Sequence, residues 1–217
     1  MDFDGVIFDL DGTLVDTLED IADAMDRVLA LEGAPPHTYD EYRYLIGQGI
    51  RNLVAAALPE ARRDDETVAR CYERMIDDYG ANSLVKTRPY DGAADVVRAL
   101  RDAGVKLAVF SNKADALTRR IVDALLDPRD FEVVAGARPG VPLKPDPTVA
   151  LAIAADFGVA PERIVYLGDS SVDMRTATAA GMIAVGAAWG FRTKDELVES
   201  GARVVLDQPL ELLALRG

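Results

Sequence analysis

Six short apolar runs recur along the chain, at residues 6–10, 105–110, 131–135, 164–167, 183–185 and 204–206. Each is too short for a buried helix and largely apolar on successive positions, which is the signature of strands covered on both faces of a parallel sheet. Helical stripes fall between them, such as Val97 with Leu100, and Ile121 with Val122 and Leu125. Gly104, Gly158, Gly181 and Gly201 stand where a helix must stop before the next strand. Strand and helix alternating at this spacing predict an α/β fold, a doubly wound parallel sheet with a Rossmann-like core.

The alternation is interrupted once. From Thr17 to Lys86 there is no strand signal, while Leu18, Ile21, Met25, Val28 and Leu29 form one helical stripe and Val68, Cys71, Met75 and Tyr79 belong to another. Thr38 followed by Glu41 predicts a capping box. The expected organisation is a core of residues 1–16 and 87–217 and a small α-helical insert of residues 17–86, placed over the end of the first strand. Cys71 lies in a helical stripe and is expected to pack in the insert's interior. As a single cysteine it has no internal disulfide partner.

Ligands of an open parallel sheet bind beyond the carboxyl ends of its strands. The segments expected there are Asp9-Leu10-Asp11-Gly12-Thr13, Ser111-Asn112-Lys113, Lys144-Pro145 and Gly168-Asp169-Ser170-Ser171-Val172-Asp173. Gathered carboxylates repel, at a cost of about 4 kcal/mol per pair at about 4 Å and an effective dielectric of 20. A divalent cation removes that cost, and an oxygen-only donor set suits Mg²⁺ rather than Zn²⁺. With a cation and Lys144 balancing charge, a carboxylate could attack a bound phosphoryl group. Only five of the 24 basic residues are lysines, and two of them, Lys113 and Lys144, fall at these segments.

Taken in order, Asp-x-Asp-Gly-Thr, Ser-Asn, Lys-Pro and Gly-Asp-Ser-x-x-Asp resemble the motifs of the haloacid dehalogenase superfamily, and the insert is similar to its small cap. Within it the chain looks most like the phosphoglycolate phosphatase group, along essentially its whole length. The resemblance implies hydrolysis of a small phosphorylated metabolite with Mg²⁺. Asp9 would be the nucleophile, and Asp11 the general acid and base with its main-chain carbonyl on the metal. Thr13 would orient the Asp11 carboxylate. Ser111 and the Asn112 amide would bind phosphoryl oxygens, with Lys113 beside them. Lys144 would balance charge, Asp169 would ligate the metal, and Asp173 would act behind it through water or by holding Lys144. Residues Ile46-Gly47-Gln48-Gly49-Ile50-Arg51 resemble the family's specificity loop. Gly47 and Gly49 would allow close backbone approach, and Arg51 would meet an anionic leaving group. Trp189-Gly190-Phe191 resembles a recurring family loop, with no role assigned.

Several competing readings are excluded. A dehalogenase would lack the second carboxylate, here Asp11, and a phosphonoacetaldehyde hydrolase would need a lysine in the insert, where none lies between Thr17 and Val85. A β-phosphoglucomutase-like phosphomutase, a pyrophosphatase and an inactive binding module stay open. Asp2-Phe3-Asp4-Gly5 repeats Asp-x-Asp-Gly but has no strand before it and no Thr after it, so it reads as a polar lead-in. His37 is expected in a loop or capping role. The net charge of −13 argues against nucleic acid as a partner. No apolar run reaches the roughly 20 residues of a membrane span, and a cytoplasmic location is expected from the lack of a basic signal-like start.

Overall fold

The computed structural model describes residues 1–216. Its strands are β1 (Gly5–Phe8), β2 (Val15–Asp16), β3 (Arg88–Pro89), β4 (Lys106–Ala114), β5 (Val133–Ala137), β6 (Ile164–Gly168), β7 (Ile183–Ala187) and β8 (Val204–Leu206). Its α-helices are α1 (Leu18–Leu31), α2 (Tyr39–Leu45), α3 (Ile50–Ala57), α4 (Asp65–Asn82), α5 (Ala93–Asp102), α6 (Asp115–Leu125), α7 (Thr148–Phe157), α8 (Ser171–Ala179), α9 (Lys194–Glu199) and α10 (Glu211–Ala214). Six strands form one sheet in the order β5-β4-β1-β6-β7-β8, and every pairing in it is parallel.

Alternation along each strand decides which helices cover which face. Val6 and Phe8 of β1 join Val109 of β4 against α5, α6 and α10, whereas Ile7 joins Ala108 and Tyr166 against α7, α8 and α9. The sheet is therefore buried on both sides, as the continuous apolar runs require.

Helices α1 to α4 build a separate cluster around Met25, Leu29, Tyr42, Val54, Cys71 and Met75, joined by Leu117 and Phe191 from outside the insert. Burial of each large apolar side chain contributes about 1.5–3 kcal/mol. Exposed ion pairs such as Arg27–Asp78 contribute roughly 0–1 kcal/mol, so packing holds the insert together. The Thr38–Glu41 capping box opens α2 as expected.

Two details differ from the sequence reading. The chain enters and leaves the insert through a two-stranded antiparallel ribbon, Val15 opposite Pro89 and Asp16 opposite Arg88, and two-residue strands leave no periodicity to read. The second run extends to Ala114 through a register shift between Phe110 and Ala114. Ser111, Asn112 and Lys113 thus occupy the irregular end of β4 rather than a loop after it. Asp2 and Asp4 pair with Arg163 at the opposite end of β1 from Asp9, and no helix among the described residues is long and apolar enough to cross a membrane.

Candidate active site

Asp9 is the first residue past β1, and its Oδ1 accepts the Leu10 N–H at 2.7 Å and faces Lys144 Nζ at 2.9 Å. The same Nζ donates to Asp173 Oδ1 at 2.7 Å and to the Phe110 carbonyl at 3.2 Å. A lysine has three donors on one compact charge, which matches three acceptors around it. Burial works against that charge, but Asp173 and Asp9 outweigh it and hold the ammonium well above the ordinary lysine pKa.

Asp169 directly follows β6, and its Oδ2 accepts the Phe191 N–H at 2.7 Å. Two glycines make room for it. A Cβ on Gly12 would lie 2.2 Å from Asp169 Oδ2, and one on Gly190 would lie 2.3 Å from Asp169 Cβ. Gly12 also has φ +80°, a conformation other residues resist. Asp173 serves twice. It closes a capping box with Ser170 at the start of α8 and, fully buried, it holds Lys144.

One oxygen each of Asp9, Asp169 and Asp173 lie within 4.8 Å of one another. Asp173 is engaged by Lys144 and by the Ser170 hydroxyl at 2.6 Å, whereas Asp9 and Asp169 both line the cavity. Burial, then the charge of Asp173, pushes Asp9 up to about 7. Burial and the charges of Asp173 and Asp9 likewise hold Asp169 well above the usual carboxylate range. Hard oxygen donors, crowded and short of positive charge, fit a divalent cation.

Asp11 Oδ1 accepts the Thr17 hydroxyl at 2.7 Å and faces Lys113 Nζ at 2.9 Å. Lys113 is itself buried, with Nζ 4.6 Å from the centre of the Tyr79 ring. Burial opposes its charge, yet Asp11 and Tyr79 raise its pKa above the ordinary value. Thr13 does not make the contact expected of it. Its hydroxyl is buried without a hydrogen-bond partner, while its carbonyl accepts Trp189 Nε1 at 2.9 Å. The turn at Gly12 directs Thr13 inward; the chain returns beside Asp11 at Val15, and Thr17 is the residue whose hydroxyl reaches the Asp11 carboxylate.

The cavity over Asp9 is lined by Asp11, Ser111, Asn112, Lys113, Lys144 and Asp169, with Gly47 and Gly49 above. The Ser111 hydroxyl accepts the Lys113 N–H at 3.2 Å and keeps its own proton to donate. The Asn112 side chain is already committed: Nδ2 donates to the Gly47 and Lys144 carbonyls, each at 3.1 Å, and Oδ1 accepts the Lys144 N–H at 2.8 Å. A phosphoryl contact from Asn112 would therefore come from its main-chain N–H. Gly47 and Gly49 have φ +117° and +86°, but a Cβ on Gly47 would meet nothing within 4 Å. Backbone conformation, not closeness, is what Gly47 supplies. Arg51 is exposed and does not line the cavity, whereas Arg192 does. Thr17 and Arg192 carried no signal in the sequence beyond their distance from a motif. His37 sits away from the cavity, its Nε2 2.9 Å from the Ala57 carbonyl.

The sequence profile of haloacid dehalogenase-like hydrolases matches residues 6–187, from β1 to the end of β7. The chain belongs to that family. It is 35% identical over 209 residues to a phosphoglycolate phosphatase of Caulobacter vibrioides, covering 95% of this chain and 88% of the relative. It is 30% identical over 209 residues to the N-acetylmuramic acid 6-phosphate phosphatase of Pseudomonas aeruginosa, covering 96% and 92% of the two chains. A crystal structure from Lactobacillus delbrueckii subsp. bulgaricus, provisionally assigned as a phosphoglycolate phosphatase, superimposes with a TM-score of 0.93 at 30% identity and full coverage of both chains.

Proposed function

We propose that the chain is a Mg²⁺-dependent phosphatase of small-molecule phosphate monoesters, phosphoglycolate phosphatase-like, which forms an aspartyl-phosphate on Asp9. The observation that carries this is Lys144 Nζ lying 2.9 Å from Asp9 and 2.7 Å from Asp173 with Asp169 alongside. A nucleophilic carboxylate is thereby fixed at one oxygen and left uncommitted at the other. The relatives named above act on different esters, both of them phosphorylated carboxylic acids, and support the class rather than one substrate.

Asp9, Asp169 and the main-chain carbonyl of Asp11 would hold the metal. When bound, Mg²⁺ would neutralise phosphoryl oxygens and keep the two carboxylates from repelling the substrate. Asp9 attacks phosphorus as the bond to the leaving oxygen breaks, with Asp11 as the general acid that supplies that oxygen's proton. Asp11, now a carboxylate held by Thr17 and Lys113, takes a proton from water as the water attacks phosphorus. The bond to Asp9 breaks and inorganic phosphate is released. Lys144 opposes the protonation of Asp9 before attack and would balance the phosphoryl group after it.

Asp9→Asn keeps the shape and removes the attacking charge. We expect it to fold normally by circular dichroism and to lose activity by several orders of magnitude. Wild-type activity should vanish on exhaustive chelation and return with Mg²⁺. Turnover by Asp9→Asn above a few per cent of wild type, or full activity after chelation, would sink the mechanism.

A further inference from the structure

The insert lines the cavity with Ile21, Ile46, Ile50, Leu53 and Met75, and contributes no charged side chain to it. Any charge on the leaving group must then be met from the sheet side. Three cations line the cavity: Lys144, Lys113 and Arg192. Lys144 is held by Asp9 and Asp173, and Lys113 by Asp11. Arg192 touches none of these carboxylates. Its side chain is only 10% exposed, with Nε 3.4 Å from Glu196. Its Nη2 donates to the Ile46 carbonyl at 3.0 Å. The guanidinium lies over the Tyr44 ring, 5.0 Å from its centre, and its Nη1 is buried with no hydrogen-bond partner among the described residues.

A buried guanidinium nitrogen without an acceptor is costly, so its persistence calls for a ligand that supplies one. An acceptor that is also anionic gives the stronger, charge-assisted bond. We propose that Arg192 is a specificity-determining residue that binds a carboxylate on the leaving group through Nη1. The preferred substrates are then small phosphorylated hydroxy acids. This rests on the reading of the site as a phosphatase and adds to it the residue that selects. Arg192 follows Phe191, whose N–H holds Asp169, so one loop positions both the metal-side carboxylate and the group that selects the substrate.

The rival reading is that Arg192 merely fastens the insert. The two separate by comparing kcat/KM for 2-phosphoglycolate and for 2-hydroxyethyl phosphate, which is similar in size but has a neutral leaving group. In the full chain with Mg²⁺, wild type should favour the acid. Arg192→Gln should lose at least about tenfold more on the acid than on the neutral ester, the scale of one charge-assisted hydrogen bond. Arg192→Lys, which keeps the charge and loses the fork, should retain part of the preference and serves if the glutamine variant folds poorly. Equal losses on both esters, or a wild type that prefers the neutral one, would overturn the proposal. If wild type hydrolyses neither ester, the phosphatase reading falls. Calorimetric titration with 3-phosphonopropionate and propylphosphonate then tests Arg192 alone: wild type should prefer the acid and Arg192→Gln should lose that preference.

Discussion

Thr17 stands at the N-cap of α1, yet its side chain caps nothing there. The hydroxyl instead donates to Asp11 at 2.7 Å, and the helix start is left with the weaker Leu18 N–H to Asp16 contact at 3.3 Å. A local rule is broken beside the candidate acid–base carboxylate, as such rules are at functional positions. Thr13 is the opposite case, a buried hydroxyl with no partner. The pair gives a sharp test. Thr17→Val frees the Asp11 carboxylate to rotate and should lower kcat by about tenfold or more, with a smaller change in KM. Thr13→Val removes a hydroxyl that satisfies nothing, so stability should hold or rise and most activity should remain. Steady-state kinetics on one ester suffice. A larger kcat loss for Thr13→Val than for Thr17→Val would reverse the assignment.

At the scale of elements, Asp20 in the first turn of α1 ties the two crossings to the insert together. Its Oδ1 accepts the Lys86 N–H at 3.0 Å, and its Oδ2 accepts the Thr87 N–H at 2.9 Å and the Thr87 hydroxyl at 2.8 Å. The carboxylate is 3% exposed, so water cannot replace these bonds. Asp20→Asn would turn one acceptor into a donor facing N–H groups, and should destabilise the protein by about 1.5–3 kcal/mol. Urea unfolding measures this, and a change under about 0.5 kcal/mol, the usual size for a surface substitution, would refute it. Nothing in the sequence distinguished Asp20 from the other acids of that turn. The strands β1, β4 and β6 were legible because short apolar runs have few alternatives, and the positions of Asp9, Asp11 and Asp169 because they stand at the ends of such runs, whereas Lys144 was placed only by its Lys-Pro motif. Thr17, Asp20 and Arg192 were not legible, since each acts across a turn or across the chain and its partner depends on where the ribbon and the loop after β7 bring it.

Over the whole molecule, the insert and the sheet meet at the cavity through few polar contacts. Asn112 Nδ2 donates to the Gly47 carbonyl at 3.1 Å, Arg43 Nη1 to the Gly190 carbonyl at 3.1 Å, and Arg192 Nη2 to the Ile46 carbonyl at 3.0 Å. Arg43 and Arg192 reach across in opposite directions, so the joint is fastened from both sides. Hydrogen bonds of this kind contribute about 0.5–1.5 kcal/mol each, far less than the apolar clusters within either layer. Leu117 and Phe191 add apolar contacts across the joint, but most apolar burial lies within each layer, so the insert is expected to lift as a unit while both layers stay folded, opening the cavity that Gly47, Gly49 and Met75 line from above. The ribbon of β2 and β3 is the natural pivot. We expect the radius of gyration from small-angle scattering to fall when Mg²⁺ and beryllofluoride are added to the wild type. Arg43→Ala lacks one fastening and should be more open without ligand, with a larger fall on adding it. Scattering curves that superimpose across both proteins and both conditions would mean that the insert is fixed, and substrate would then have to enter by another path.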